Sequence, residues 1–81
     1  MKLTVRMFAT LKDRTGASLV TLDVCEPGSV TDLLEELFRR FPNLQPFKQN
    51  ILVSVNQEYA GRSAKISPED EIALFPPVSG G

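Results

Sequence analysis

The chain has 81 residues, with 9 Lys plus Arg and 10 Asp plus Glu, so it is sized for one domain and lacks the excess of cations that nucleic-acid binding needs. It has no histidine and a single cysteine, which excludes an internal disulfide and a Ser-His or Cys-His nucleophile and argues against a zinc site. No apolar run reaches the roughly 18 residues of a membrane span, and a strand-like pattern begins at the first residues, so we expect a cytoplasmic protein with no membrane partner and no cleaved leader.

The first part of the chain is predicted to form two strands. Polar and apolar residues alternate over residues 2–9, which is the pattern of a half-buried strand. Residues 10–15 can form one short helical turn, and a second strand is predicted over residues 19–25. The pair Pro27-Gly28 ends that strand.

Residues 29–41 have the clearest helical pattern. Ser29 can cap the first turn, and Asp32 lies near the positive end of the helix dipole, as in a capping box. Pro42 ends the helix, because it disfavours helical geometry at the residue before it. The apolar face, which we expect to be buried against the sheet, consists of Val30, Leu33, Leu34, Leu37, Phe38 and Phe41.

The second part of the chain is predicted to be mostly strands. Residues 43–50 form a loop, and residues 51–55 form a third strand, which a tight turn over residues 56–59 joins to a short fourth one. Residues 67–70 have the polar composition of a turn, and residues 71–75 form the last strand.

This order of elements predicts an α+β fold of the β-grasp (ubiquitin-like) type. In that topology a mixed sheet has one main helix packed on one face, and its first and last strands are parallel neighbours in the centre. We expect residues 1–81 to form a single domain, in which residues 76–81 are a flexible C-terminal tail.

Strand parity predicts an aromatic cluster on the face of the sheet opposite the helix. Met7 and Leu74 are expected to face the helix, so Phe8 and Phe75 point the other way, and Tyr59 is a third candidate member. Exposed aromatic side chains beside the exit of the tail are a candidate protein interface. The competing interpretation is that loops cover these rings or that they are isolated surface aromatics.

The other reactive side chains give weaker indications. Cys25 is expected to be a small, partly buried residue rather than a redox centre. Arg6, Arg39 and Arg40 could form salt bridges to a partner, although a solvated role is favoured. We predict neither a pair of catalytic carboxylates nor a metal site.

The C-terminal tail is the most informative segment. It consists of Pro76, Pro77, Val78, Ser79, Gly80 and Gly81. The prolines keep the chain extended, and the glycines lack a Cβ and can enter a narrow channel. Such a tail can present the carboxylate of Gly81 inside the active site of another protein, for activation as an acyl-adenylate and conversion to a thiocarboxylate. The competing interpretation is a frayed terminus.

The last twelve residues resemble the C-terminal signature of the MoaD family, within the MoaD/ThiS ubiquitin-like superfamily. They read Asp70-Glu71-Ile72-Ala73-Leu74-Phe75-Pro76-Pro77-Val78-Ser79-Gly80-Gly81. Residues 55–59 and 1–9 are also similar to segments of that family. Glu69 stands where the family usually has Gly, which concerns only the local turn.

The resemblance implies a sulfur-carrier small subunit of molybdopterin synthase. A MoeB-like, ubiquitin-activating-type adenylyltransferase would use ATP to adenylate Gly81, and a sulfur-donor system would form the thiocarboxylate. Inside a MoaE-like large subunit, which holds the catalytic lysines, the tail would give its sulfur to cyclic pyranopterin monophosphate in molybdenum cofactor biosynthesis. The resemblance therefore implies no permanently bound cofactor and no catalysis by this chain alone.

Three alternatives remain open at this point. The first is a sulfur carrier for another product, such as the thiazole of thiamine. The second is a protein modifier that forms isopeptide bonds with lysines, and the third is a binding-only β-grasp module whose tail is inert.

Overall fold

The computed structural model describes residues 1–76, so the prediction of a flexible tail falls mainly on residues outside the described part. The described elements, in chain order, are β1 (Lys2–Met7), α1 (Ala9–Thr15), β2 (Leu19–Asp23), β3 (Gly28–Ser29), α2 (Val30–Arg40), a 3-10 helix (Pro42–Phe47), β4 (Leu52–Val55), β5 (Glu58–Tyr59), β6 (Lys65–Ile66) and β7 (Ile72–Phe75).

The main sheet has the strand order β2-β1-β7-β4-β5. β1 and β7 are parallel, with Val5 opposite Ile72 and Met7 opposite Leu74, and the other pairs of neighbouring strands are antiparallel. The first and last strands of this sheet are therefore neighbours in its interior, as the order of elements predicted. The prediction of an α+β fold with a mixed sheet is confirmed.

Two features of the sequence stabilise the helix α2, namely a capping box at its start and an apolar face that is buried. Ser29 accepts a hydrogen bond from the backbone N–H of Asp32, and a carboxylate oxygen of Asp32 accepts one from the backbone N–H of Ser29 at 2.9 Å. This capping box satisfies N–H groups that have no partner within the helix. Five apolar side chains of α2 are buried: Val30, Leu33, Leu34, Leu37 and Phe38.

The core lies between α2 and one face of the sheet. Alternate residues of the strands contribute to it, because successive side chains of a strand point to opposite faces. Besides the five side chains of α2, its buried members are Leu3, Val5, Met7, Leu11, Val20, Leu22, Val24, Leu44, Ile51, Val53, Ile66, Ile72 and Leu74.

The prediction that Phe41 is buried with the apolar face of the helix is wrong, because Phe41 is only half-buried. It follows the last residue of α2 with φ −124° and ψ 78°, which are not helical, so its ring does not continue the buried row. The guanidinium of Arg40 lies 5.6 Å from the centre of that ring.

Cys25 also differs from its prediction, since it is exposed. The alternation of β2 extends beyond Asp23: Val24 is buried, so the next side chain points away from the core. Parity along the strand, rather than the small size of the thiol, decides its position.

Several local elements differ from the sequence-based expectation. Residues 9–15 form a full short helix, and a 3-10 helix occupies residues 42–47, where a loop was expected. The antiparallel ladder of β3 with β6 was not predicted. Such two-residue strands have almost no periodicity of their own, so only their pairing defines them.

A side-chain bridge joins the β4–β5 turn to the start of β7. Asn56 and Gln57 both have positive φ, of 54° and 70°, as a two-residue type I′ hairpin requires. The Asn56 side chain donates to a carboxylate oxygen of Asp70 at 3.0 Å and accepts from the backbone N–H of Glu71 at 3.0 Å. The other carboxylate oxygen of Asp70 accepts from the backbone N–H of Ser67 at 2.8 Å.

Because of this bridge, we expect the free energy of unfolding to depend on pH through Asp70. The hydrogen bond from Asn56, followed by that from the Ser67 backbone, lowers the pKa of Asp70. A carboxyl group with a lowered folded-state pKa stabilises the fold above its unfolded pKa, which is about 3.9, and this contribution disappears as pH falls through the folded value. We expect Asp70→Asn to be less stable than the wild type at pH 7, and the difference to shrink below about pH 4.

Urea unfolding of both proteins at neutral and acid pH measures this difference. Asp13→Asn is a matched control, because it removes the same charge from an exposed helix position. A difference between wild type and Asp70→Asn that stays constant with pH would contradict the prediction.

Candidate functional site

The outer face of the main sheet brings the predicted aromatic residues together. The rings of Phe8 and Phe75 stack with their centres 4.8 Å apart and their planes 11° apart. Phe8 is 39% exposed and Phe75 is half-buried. The prediction that these two rings share the face opposite α2 is confirmed, whereas their role as an interface stays a prediction.

The parallel pairing of β1 with β7 produces this stack. Met7 lies opposite Leu74 in this pairing. The residues that follow them, Phe8 and Phe75, therefore lie side by side on the other face of the sheet. Stacked aromatic pairs contribute roughly 0.5–1.5 kcal/mol beyond their buried area.

Tyr59 lies on the same face but outside the stack. It is 76% exposed and belongs to β5, which β4 separates from β7. Tyr59, Phe8 and Phe75 line a common open cavity of about 420 Å³. Small side chains of the intervening strands, Ser54 and Ala73, also line it and form its floor.

Register across the sheet places Arg6 beside the aromatic cavity on this face. A single row crosses the strands through Leu19, Arg6, Ala73, Ser54 and Tyr59. Arg6 lies in this row between an exposed leucine on β2 and the floor of the aromatic cavity. Residue type alone favours a solvated role for Arg6, because the identity of its neighbours depends on the register between strands.

The tail starts at the end of β7. Pro76 follows Phe75 and is half-buried. Since β7 is an interior strand, the chain leaves the sheet beside the Phe8–Phe75 stack rather than at an edge. The remaining predicted tail residues, Pro77, Val78, Ser79, Gly80 and Gly81, lie outside the described residues.

The described residues contain neither a group of three or more His, Cys, Asp or Glu side chains placed to hold a metal ion nor a helix long and apolar enough to cross a membrane. The groups that line the aromatic cavity are aromatic rings, the Arg6 guanidinium, the Glu71 carboxylate and small or polar side chains. They suit contact with another protein surface.

The strand order, the parallel interior pair and the helix across one face define a ubiquitin-like β-grasp protein. The chain belongs to the ThiS family, which it matches over residues 5–81.

The chain covers most of the length of several similar proteins. The molybdopterin synthase sulfur carrier subunit of Arabidopsis thaliana is 32% identical over 81 residues, which cover 100% of this chain and 84% of that protein. The protein of the same description from Homo sapiens is 34% identical over 80 residues, covering 95% and 91%. The crystal structure of SAMP1 from Haloferax volcanii has a TM-score of 0.86 and 32% identity, covering 100% of both chains.

Proposed function

We propose that this chain is the sulfur-carrier small subunit of a molybdopterin synthase. Its Gly81 would be adenylated, converted to a thiocarboxylate and used to give sulfur to cyclic pyranopterin monophosphate. The observation that carries the proposal is the end-to-end similarity to sulfur carrier subunits, which includes the Gly80-Gly81 terminus.

The geometry of the described residues supports this function. The tail leaves from an interior strand beside an exposed aromatic pair, so a partner that covers the pair is also placed to receive the tail. In this arrangement the sheet face provides affinity and the tail provides the reacting atom.

The chemistry requires no catalytic side chain from this chain. The Gly81 carboxylate attacks the α-phosphate of ATP and releases pyrophosphate, which gives an acyl-adenylate. A sulfide-level donor then attacks the acyl carbon and AMP leaves, which gives the thiocarboxylate. ATP is a substrate of the activating enzyme, a MoeB-like adenylyltransferase, and a MoaE-like large subunit supplies the catalytic groups of the final transfer.

Intact mass spectrometry tests the carrier role. The protein is incubated with ATP, the activating enzyme and a sulfide source, and we expect it to gain the mass difference between sulfur and oxygen, confined to the C-terminal peptide. A sulfur adduct on the exposed Cys25, or no adduct at all, would contradict the proposal.

The aromatic pair supplies a prediction about the partner. We expect Phe75→Ala to weaken binding to the large subunit by about 2 kcal/mol if the ring is a hot spot, as measured by isothermal titration calorimetry. The loss of the stack should reduce the free energy of unfolding by only about 1 kcal/mol. Normal binding by a folded Phe75→Ala protein would show that the outer face is not part of the interface. A largely unfolded variant would show that Phe75 is a core residue.

Protein modification is a second candidate function, favoured by the similarity to SAMP1 from Haloferax volcanii, which a second crystal structure describes as small archaeal modifier protein 1. The same acyl-adenylate would then react with a lysine amine instead of a sulfur donor. Expression of an epitope-tagged chain in its own cells distinguishes the two. A ladder of conjugates that survives denaturation and reduction, and depends on Gly81, would favour a modifier.

A further inference from the structure

Arg6 differs from Lys2, the other cation of β1, in having no carboxylate partner among residues 1–76. Lys2, near the far end of β1, has its ammonium 3.5 Å from the carboxylate of Asp23. No carboxylate of residues 1–76 lies within 4.0 Å of the Arg6 guanidinium. Glu71 lines the aromatic cavity together with Arg6 but lies beyond that distance.

Two cavities adjoin Arg6, one on each side of the β1 strand. The first is the aromatic cavity described above. The second, of about 320 Å³, lies toward β2 and is lined by Arg6, Phe8, Lys12 and Leu19, among other residues. None of the described residues that line this second cavity is acidic, although the whole chain has a formal net charge of −1. It is therefore a locally cationic concavity beside exposed apolar side chains.

Covering this face without a counter-charge would be costly. An Arg side chain stays protonated in proteins, so burial against an apolar partner would leave an unpaired cation out of water. In the register across the sheet, Arg6 lies between Ala73 and Leu19, which is 55% exposed, and Phe75 follows Ala73 on the same face of β7. A partner that spans Leu19 and Phe75 therefore also lies against Arg6. Such a partner needs an anionic acceptor at this point, and a carboxylate matches the fork of the guanidinium.

We propose that Arg6, assisted by Lys12, determines which large subunit this chain accepts, by binding a carboxylate side chain that the partner places in the cavity beside Leu19. The inference rests on the proposed function, because it adds a charge requirement to the same interface. Apolar contact with the aromatic pair supplies affinity for many surfaces, whereas the carboxylate requirement rejects surfaces that lack it.

Charge reversal tests this requirement. Arg6→Glu, Arg6→Gln and Lys12→Glu are compared with the wild type for binding to the large subunit encoded in the same genome. We expect Arg6→Glu to weaken the affinity by about 30-fold or more, Arg6→Gln by less, and Lys12→Glu by a smaller factor again. Lys65→Glu is the matched control, because it makes the same charge change at an exposed position of β6 and should alter affinity by no more than about twofold.

Salt dependence separates a charge pair from a structural role. Raising NaCl from about 0.1 M to about 1 M shortens the Debye length from about 10 Å to about 3 Å. The wild-type affinity should fall over this range more steeply than that of Arg6→Gln. Thermal unfolding should be similar for all variants, because Arg6 and Lys12 are exposed.

The outcomes separate this inference from the proposed function. If the wild type binds the large subunit and the folded Arg6 variants bind equally well, the inference is overturned while the sulfur-carrier proposal stands. If the wild type does not bind the large subunit at all, both the inference and the proposed partner are wrong.

Discussion

Deleting Gly80 and Gly81 is expected to abolish sulfur transfer while leaving the free energy of unfolding almost unchanged. Every buried apolar residue of the described core lies between Leu3 and Leu74, so the deletion removes nothing from it. The carboxylate that must be adenylated is nevertheless lost from its position. No other group in the chain is proposed to form the acyl-adenylate, so the residual activity should be at background. Molybdopterin formation in a reconstituted assay and urea unfolding measure the two effects.

An added residue gives a matched test of the same idea. Appending one Ala after Gly81 keeps both glycines but moves the carboxylate by one residue and places a Cβ where the channel is expected to admit only glycine. We expect the same loss of sulfur transfer and unchanged stability. Molybdopterin formation by either altered protein would overturn the carrier assignment and favour a binding-only module with an inert tail.

Leu74→Ala is expected to produce the opposite result, a large loss of stability. Leu74 is fully buried, and its strand lies between β1 and β4, with Met7 and Val53 as its register partners. Truncation of a buried Leu costs about 2–5 kcal/mol, through the lost apolar burial and the cavity left behind. In a domain of this size the melting temperature should fall by roughly 10 °C or more.

The control for this substitution is the same change at an exposed leucine. Leu19→Ala removes the same atoms from a side chain that is 55% exposed, so the free energy of unfolding should change by no more than about 0.5 kcal/mol. Equal losses for the two variants would mean that the assignment of the inner and outer faces is wrong. The neighbouring variant Phe75→Ala should lie between them in stability while affecting binding.

Local patterns in the sequence were sufficient for most of the fold. The helical repeat over residues 29–41 and the Ser29–Asp32 cap predicted α2 to within about a residue at each end. Alternation along residues 2–9 predicted which side chains of β1 are buried. Both patterns are local, because a helix or strand repeats its geometry within a few residues.

Prediction was less successful where an element is short or depends on contacts with distant residues. The ladder between β3 and β6 is two residues long, and it joins a segment that precedes α2 in the chain to one that follows it. Phe41 fits the helical repeat but lies past the end of the helix, where the backbone has left helical geometry. The residue type of Cys25 predicts partial burial, whereas the parity of its strand places it on the exposed face.

At the candidate site, strand periodicity was enough to predict that Phe8 and Phe75 point outward, and the residue types of the C-terminus led to the proposed role of Gly80-Gly81. Direction follows from the period of a strand, and the chemistry of a terminus follows from its residues. The stacking of the two rings and the position of Arg6 between Leu19 and Ala73 became apparent only from the folded arrangement of the strands. Those contacts depend on the register between strands far apart in the chain, which no local pattern specifies.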